Sequence, residues 1–455
     1  MNKHNFLRWF NHGFWKAFSR NKFPIEVPRT SASRAALTEA LFEDISSARY
    51  APGVPETEIV INKGLGVART VPVFSIRDYC VYYFCVKELE HVLCGNRIPN
   101  TFGGWTLGGQ LRVKENDEIE SDAAAYGRYS FNPHAWTEAF GQFNALLFAQ
   151  LELARYDYIL QLDLSNFYDC IRLDVLERWI REHAPPEKGW VIALLFYLLN
   201  HWNRRNTGLH PQAVGLPQDA LADCSRILSN FYLQKYDKFA ANLCSQAGGI
   251  YFRYADDQMI LLNDQQKVDN LLLLLTRNLD RYGLRVNQKK VKLWSTPELI
   301  RHRCREIQAI FAKKGDNQSP VLVRRFVDAY LALTPQELAS TWNAGMPLLN
   351  RLLWSKLDSL PSGLFNKIVV RLAAEEFLVQ ATASKIKRLS ELNAMRTKPL
   401  DLHKRIQAIA KRSVHNAFHH EALAYARLVK ESSLEAFLVN RMDEISQLMA
   451  LNTVE

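Results

Sequence analysis

Two short acidic stretches carry the residues best able to do chemistry: Gln-Leu-Asp163-Leu-Ser165-Asn-Phe-Tyr168-Asp169 and Phe-Arg-Tyr254-Ala-Asp256-Asp257-Gln-Met-Ile-Leu-Leu. Each abuts an apolar run, Tyr158–Leu162 before the first and Met259–Leu262 within the second, with the length and composition of a buried strand. A carboxylate beside a buried strand is costly unless a cation or a hydrogen-bond donor compensates it. Hard divalent cations such as Mg²⁺ take oxygen ligands, and a pair of them held between carboxylates clamps the attacking and leaving oxygens of a phosphoryl transfer. By themselves, a strand-edge Asp or an Asp-Asp pair fits a turn or a solvated acidic hairpin equally well. The order of the surrounding motifs separates these readings.

Around the two stretches, short strands alternate with amphipathic helices. Glu58–Gly66 and Ala68–Ile76 predict strands joined by a turn, followed by a helix over Tyr79–Leu93. A helix within Phe131–Tyr156 leads into the first acidic strand, and two more are expected at Leu173–Glu182 and Trp190–Trp202, parted by Pro185-Pro186. A polar loop, 203–212, then delivers Gly215-Leu-Pro217-Gln218-Asp219 to the mouth of a helix over Ala220–Phe239. The Asp256 hairpin, a leucine-rich helix over Val268–Tyr282 and a β-like segment from Leu284 to Trp294 follow, and from about residue 300 the pattern is helical. Helices on one face of a small antiparallel sheet make an α+β core. The expected division is 1–155, 156–300 with a helical insertion at 173–212, and 301–455.

With 455 residues, 48% of them hydrophobic and 23% charged, the composition is that of a globular chain with a sizeable core. The longest leucine cluster, Leu271–Leu275, is far shorter than a membrane span, so no membrane is expected as a partner. The first 18 residues interleave aromatic and basic side chains and lack the apolar stretch and cleavage site of a secretory signal. Their apolar positions 6, 7, 10, 14, 17 and 18 suit one face of a helix packed on the body of the protein. Seven cysteines without a CxxC pair point to reduced thiols and a cytoplasmic chain. His415, His419 and His420 have helical spacing that could hold a metal, though the face of a polar helix accounts for them better.

The formal charge is +10, and residues 301–455 hold 23 Lys and Arg against 15 Asp and Glu. Within Lys385–Arg412, nine basic residues face two acidic ones, and Lys385, Lys387, Arg388, Lys404, Arg405, Lys411 and Arg412 are candidate contacts to a polyanion. A solvated helix face is the competing reading.

Taken in order, the motifs resemble those of a reverse transcriptase over roughly residues 55–295. They are Asp163 with Phe167 and Tyr168, the Gly215–Gln218 turn opening a helix with Ser225, Arg226 and Asn230, Tyr254-Ala-Asp256-Asp257, and Gly283-Leu with Asn287 and Lys290. The strand Arg69–Asp78 and Asn100-Thr-Phe-Gly-Gly-Trp105 look like finger elements of that family, and Asn132-Pro-His-Ala-Trp136 with the long helical C-terminus is similar to bacterial abortive-infection and other defence-associated members. The resemblance implies a right-hand polymerase fold: an N-terminal extension and fingers, then a palm with a small antiparallel sheet, then an all-helical thumb and C-terminal region. It implies two Mg²⁺ ions, or Mn²⁺ in their place, held by Asp163, Asp256, Asp257 and the Leu164 carbonyl. Lys290 would act on the departing pyrophosphate, and Arg69, with Lys63 or Arg77, would hold the triphosphate. Tyr168 would lie under the sugar and exclude a 2′-hydroxyl, while Gln218 and Asn230 would sit under the template and nucleotide. Two departures stand out: Asp219 occupies a position where the family has Gly, and the spacing from Gly215 to Asn230 is about two residues longer.

The resemblance implies an RNA-directed DNA polymerase active in antiphage defence, with a partner noncoding RNA as template, deoxynucleotides as substrates and DNA as product. A homo-oligomer or a partner protein is compatible with it. Template-independent or protein-primed DNA synthesis by the same site is the alternative, and a non-catalytic RNA-binding scaffold is a third class. Retention of Asp163, Asp256, Asp257 and Lys290 argues against the scaffold, because buried like charges are costly to keep without use.

Overall fold

The computed structural model describes residues 3–11, 14–15, 26–62, 68–94, 97–104, 107, 112–113, 119–120, 135–202, 215–218, 223–313, 315–338 and 345–451. Among the described residues, nine strands fall in three sheets. β1 (Thr57–Asn62) pairs with β2 (Ala68–Val73), and β4 (Arg112–Val113) with β5 (Ile119–Glu120). The central sheet joins β3 (Thr101–Phe102), β6 (Tyr158–Leu162), β7 (Ile250–Tyr254), β8 (Asp257–Leu262) and β9 (Lys292–Ser295) in the order β3-β7-β8-β6-β9. Only the β3–β7 pair is parallel.

β6 lies between β8 and β9, so both of its edges are hydrogen-bonded, and the consecutive burial of Ile159 to Leu162 shows both of its faces covered, which is why it reads as an apolar run rather than an alternation. Its one polar residue, Gln161, accepts a hydrogen bond from the Trp294 indole at 2.9 Å across the β6–β9 pair. Met259, Ile260, Leu261 and Leu262 of β8 are all fully buried.

Among the described residues, eight α-helices belong to the part of the chain that surrounds this sheet: α1 (Lys3–Leu7), α2 (Ser31–Ser46), α3 (Ile76–Cys94), α4 (Ala135–Glu152), α5 (Leu173–His183), α6 (Gly189–Leu199), α7 (Asp223–Gln246) and α8 (Val268–Arg281). A capping box between Thr30 and Ser33 starts α2. α3 is buried along almost its whole length and packs on α6 and α7. Phe6, Trp9, Phe10, Phe14 and Trp15 join the same core, as the aromatic N-terminus requires; Ala17 and Phe18 lie outside the described residues.

The chain divides into two compact units, residues 1–58 with 71–296 and residues 59–70 with 297–455. Residues 59–62 and 68–70, from β1 and β2, group with residues 297–455. One bond responsible is the Val60 amide donating to the Asn416 side chain at 2.7 Å. The second unit has its own core, built from helices such as Pro320–Leu331, Ser362–Leu372, Ala383–Ala394, Leu402–Arg412 and Asn416–Val429. In it His419 is wholly buried, with its two ring nitrogens 3.1 Å from the carbonyls of His415 and Ala410.

Two local readings change. Asn100–Gly104, expected in the fingers, supplies β3 to the central sheet, because Arg253 and Ala255 donate their amides to the Asn100 and Phe102 carbonyls. The β-like segment Leu284–Trp294 is strand only from Lys292. Before that it makes a single bridge, Leu164 to Val286, and a 3₁₀ turn over Gln288–Lys290.

Arg253 on β7 is 1% exposed and spends its guanidinium on three groups. It forms a two-pronged pair with Asp237 at 2.7 and 2.6 Å, donates to the Asn230 side chain at 2.6 Å and to the Ala255 carbonyl at 2.8 Å. Burial opposes its charge, but Asp237 outweighs burial and holds the guanidinium protonated. Removing one partner of such a pair strands the other charge in the core. Arg253→Met is expected to cost about 3–5 kcal/mol of stability in a urea titration, with much of the loss recovered in Arg253→Met/Asp237→Leu. Equal stability of Arg253→Met and wild type would remove the network from its structural role.

Candidate active site

Asp163 follows the last residue of β6, with its side chain 5% exposed. The β6–β8 register ends at Leu162 opposite Gln258, so the next residues in line are Asp163 and Asp257. β7 and β8 close through Tyr254 paired with Asp257, which leaves Ala255 and Asp256 as a two-residue turn. Ala255 has a φ of 52°, a conformation that is costly for a residue bearing a Cβ. It is held there by its amide bond to Phe102, 3.1 Å, and by Arg253 on its carbonyl. Gly103, at φ 85°, permits this approach, since a Cβ there would stand 3.1 Å from the Ala255 nitrogen. Tyr254 packs edge-on against Phe140 of α4, with ring centres 5.0 Å apart.

Two bonds flank the Leu164–Val286 bridge, Ser165 amide to Arg285 carbonyl at 2.8 Å and Asn287 amide to Asp163 carbonyl at 2.7 Å. In an antiparallel pair of this kind the central residues turn their own N–H and C=O away from the partner strand. The Leu164 carbonyl therefore faces away from Val286. The 3₁₀ turn after Asn287 brings Lys290 back, so that the Asp163 carboxylate accepts from the Lys290 ammonium at 3.0 Å and from the Asn287 amide at 3.2 Å. A cleft of about 620 Å³ opens beside them, lined by Ser165, Asn166, Gly283, Arg285, Asn287 and Lys289 among others.

Phe167 is buried and anchors the turn after Asp163. Tyr168 is partly buried; burial pushes its hydroxyl up to about 12, with Asp256 and Asp223 adding to the rise and the Arg226 cation opposing it. Gly215 packs directly on the Tyr168 and Asp169 backbone, where a Cβ would clash, and the Leu216 amide donates to the Tyr168 carbonyl at 3.0 Å. Ser225, wholly buried, donates to the Pro217 carbonyl at 2.5 Å and contacts the Tyr82 hydroxyl at 2.8 Å, which ties the Gly-Leu-Pro-Gln turn to α7. Gln218, at the end of that turn, is partly exposed.

The structure thus brings Asp163, Leu164, Tyr168, Asp256, Asp257 and Lys290 to one end of the sheet. It moves other expected residues elsewhere. Asn230, expected under the template, is 4% exposed and holds Arg253. Arg77 pairs with Asp44 at 2.6 Å. Arg69 groups with the C-terminal unit, and Lys63, Asp219, the 203–212 loop and the side chain of Trp136 lie outside the described residues. Of the basic candidates, Lys387, Lys404, Arg405, Lys411 and Arg412 are exposed and Lys385 and Arg388 partly so. Several are engaged within the protein: Arg412 with Glu375 at 2.6 Å, Arg388 with Glu391 at 3.3 Å, Arg405 on the Ala373 carbonyl at 3.2 Å.

Sequence reasoning missed Asp223 and the Arg253–Asp237 pair. Asp223 binds Arg226 at 2.9 Å, and burial pushes its carboxyl up to about 6 even against that cation. The i,i+3 spacing of Asp223 and Arg226 was a readable signal; nothing in the sequence linked Arg253 to Asp237.

The oxygen donors, Asp163, Asp256, Asp257 and the Leu164 carbonyl, suit a hard divalent cation. Asp163 already holds a cationic group, the Lys290 ammonium, as a buried carboxylate requires. No group of three or more His, Cys, Asp or Glu side chains is gathered as a finished metal cage among the described residues.

A site of neighbouring carboxylates, a lysine and a tyrosine at one end of a small sheet is suited to nucleotidyl transfer. Residues 126–314 match the family model described as reverse transcriptase (RNA-dependent DNA polymerase), so a reverse transcriptase domain is present there. That domain supports RNA-directed DNA polymerase activity, a nucleotidyl transfer; a reverse transcriptase acts on an RNA template, a DNA product and deoxynucleoside triphosphates. Reverse transcriptases generally use divalent metal ions. No curated protein matches the sequence. No helix among the described residues is long and apolar enough to cross a membrane.

Because Lys290 competes for Asp163, Lys290→Gln is expected to tighten Mn²⁺ binding by roughly three- to tenfold, a modest gain since the ammonium is largely solvated. Calorimetry without nucleotide measures it; unchanged or weaker binding would show that the two do not compete.

Proposed function

We propose that this chain is a two-metal reverse transcriptase of right-hand architecture that copies a partner noncoding RNA in antiphage defence. The central sheet serves as palm and the C-terminal helices as thumb. What supports the catalytic reading above all is the register that sets Asp163 beside the Asp256-Asp257 turn with Lys290 on the same carboxylate. The defence role rests on the Asn132–Trp136 segment and the long helical C-terminal region, features similar to those of defence-associated reverse transcriptases.

Asp163, Asp256 and the Leu164 carbonyl would hold two Mg²⁺ ions, with Asp257 beside them. Bound there, the ions supply activation of the primer 3′-hydroxyl and charge neutralisation of the triphosphate. Lys290, once displaced from Asp163, keeps its positive charge at the site and can pass a proton to the departing pyrophosphate. Arg285 and Lys289 line the adjacent cleft and favour an anionic group in it. Tyr168 sets its ring beneath the sugar and excludes a 2′-hydroxyl, and Gln218 contacts the template.

With Mg²⁺, deoxynucleotides and co-purifying RNA, the purified protein is expected to make DNA. Asp256→Asn should lose about 10³-fold in activity, roughly 4 kcal/mol of barrier. Equal synthesis by the variant would end the two-metal reading, and sequencing the nucleic acids bound to the protein tests the noncoding template directly. Replacing Lys387, Lys404 and Lys411 by Glu is expected to weaken RNA binding and flatten its salt dependence by up to about three units of slope. An unchanged slope would make the patch plain solvated surface.

A further inference from the structure

The Gly-Leu-Pro-Gln turn is a buried loop, and three of its backbone polar groups are met from three separate parts of the chain. Gly215, Leu216 and Pro217 are all buried, so their carbonyls and amides need partners inside the protein. The Trp202 indole donates to the Gly215 carbonyl at 2.9 Å, and its ring stands edge-on to Phe74 with centres 6.4 Å apart. The Leu216 amide donates to the Tyr168 carbonyl at 3.0 Å. Pro217 has no N–H, and its carbonyl accepts from the Ser225 hydroxyl. Ser225 has a single proton and uses it there, so in the 2.8 Å contact with Tyr82 the Tyr82 hydroxyl is the donor. A chain of hydrogen bonds thus runs from Tyr82, 1% exposed within α3, through Ser225 to Pro217. The Pro217 carbonyl shares one rigid peptide plane with the Gln218 nitrogen, so this chain fixes the plane from which Gln218 departs. Of the four residues in the turn, Gln218 alone is partly exposed.

We infer that Tyr82, Ser225 and Trp202 are positioning residues that hold Gln218 against the templating base, and so set how well a matched deoxynucleotide is told from a mismatched one. This rests on the reading of Gln218 as a template contact. Trp202 and Ser225 act on backbone carbonyls of the turn through side-chain donors that substitution removes, and Tyr82 acts through Ser225. None of the three touches nucleotide, template or metal in this account. With the turn loosened, the templating base loses its support. A matched nucleotide then binds less well, while a mismatched one, which never fitted, loses little, so the effect falls on the KM of the matched deoxynucleotide.

The experiment measures kcat and KM for a matched and a mismatched deoxynucleotide on one primed RNA template, with the full-length protein and its variants, beside a thermal unfolding midpoint for each. Gln218→Ala is expected to lower the matched-to-mismatched ratio of kcat/KM by about tenfold, chiefly through a higher KM for the matched nucleotide. Ser225→Ala and Trp202→Phe should each lower it by about three- to tenfold, and the near-isosteric Tyr82→Phe by about threefold. In the double variant, Tyr82→Phe should add nothing to the effect of Ser225→Ala, because both break one chain. A purely structural role would lower the unfolding midpoint and slow both nucleotides alike. If Gln218→Ala leaves the ratio unchanged, the template contact fails and the inference falls with it. If Gln218→Ala lowers the ratio while Ser225→Ala, Trp202→Phe and Tyr82→Phe do not, only the positioning role is overturned. A double variant well below Ser225→Ala overturns the action of Tyr82 through Ser225.

Discussion

A single buried guanidinium organises the end of the sheet where the chemistry is done. Arg253 lies within β7, yet the three groups its guanidinium bonds belong to other elements: Asp237 and Asn230 on α7, and the Ala255 carbonyl in the turn. Burying that charge is expensive, and only a matched carboxylate offsets the cost. The return is geometric. Ala255 is held in a left-handed conformation by groups that cannot shift without breaking the Arg253–Asp237 pair, so the two carboxylates after it are presented from a rigid base.

The carboxylate end shows the opposite design. Asp163 is buried, but the ammonium that neutralises it comes from a mostly exposed lysine on a 3₁₀ turn. A long, solvated side chain can leave at small cost, whereas a guanidinium fixed as Arg253 is could not. The same site therefore has a firm frame and an exchangeable cation, a combination suited to a centre that must accept and release charged groups in each cycle.

How much of this was legible in the sequence follows from what each feature depends on. β6 and β8 were readable because strands buried on both faces are apolar along their whole length, and the helices Leu173–His183 and Val268–Arg281 because their apolar period is local. The Asp163, Asp256-Asp257 and Lys290 constellation was readable because its spacing is ordered along the chain. Asn230 was expected under the template on the family resemblance alone, and only the position of Arg253 shows that its partner is internal. β3 was misassigned for a related reason: two residues are too few to show a period, and the strand exists only because β7 offers it an edge. The segment before Lys292 carries strand-forming residues, but the bond from Asn287 to the Asp163 carbonyl pulls it out of the sheet.

The hairpin of β1 and β2 has a consequence for the order of assembly. Its turn side groups with residues 297–455, and the Val60 amide finds its acceptor 356 positions further along the chain. On a ribosome, that stretch must wait for 356 further residues before its bond can form, which is a slow, non-local closure. The same interleaving means that no single cut can liberate either compact body whole: a fragment starting at 297 leaves behind twelve residues that belong with it.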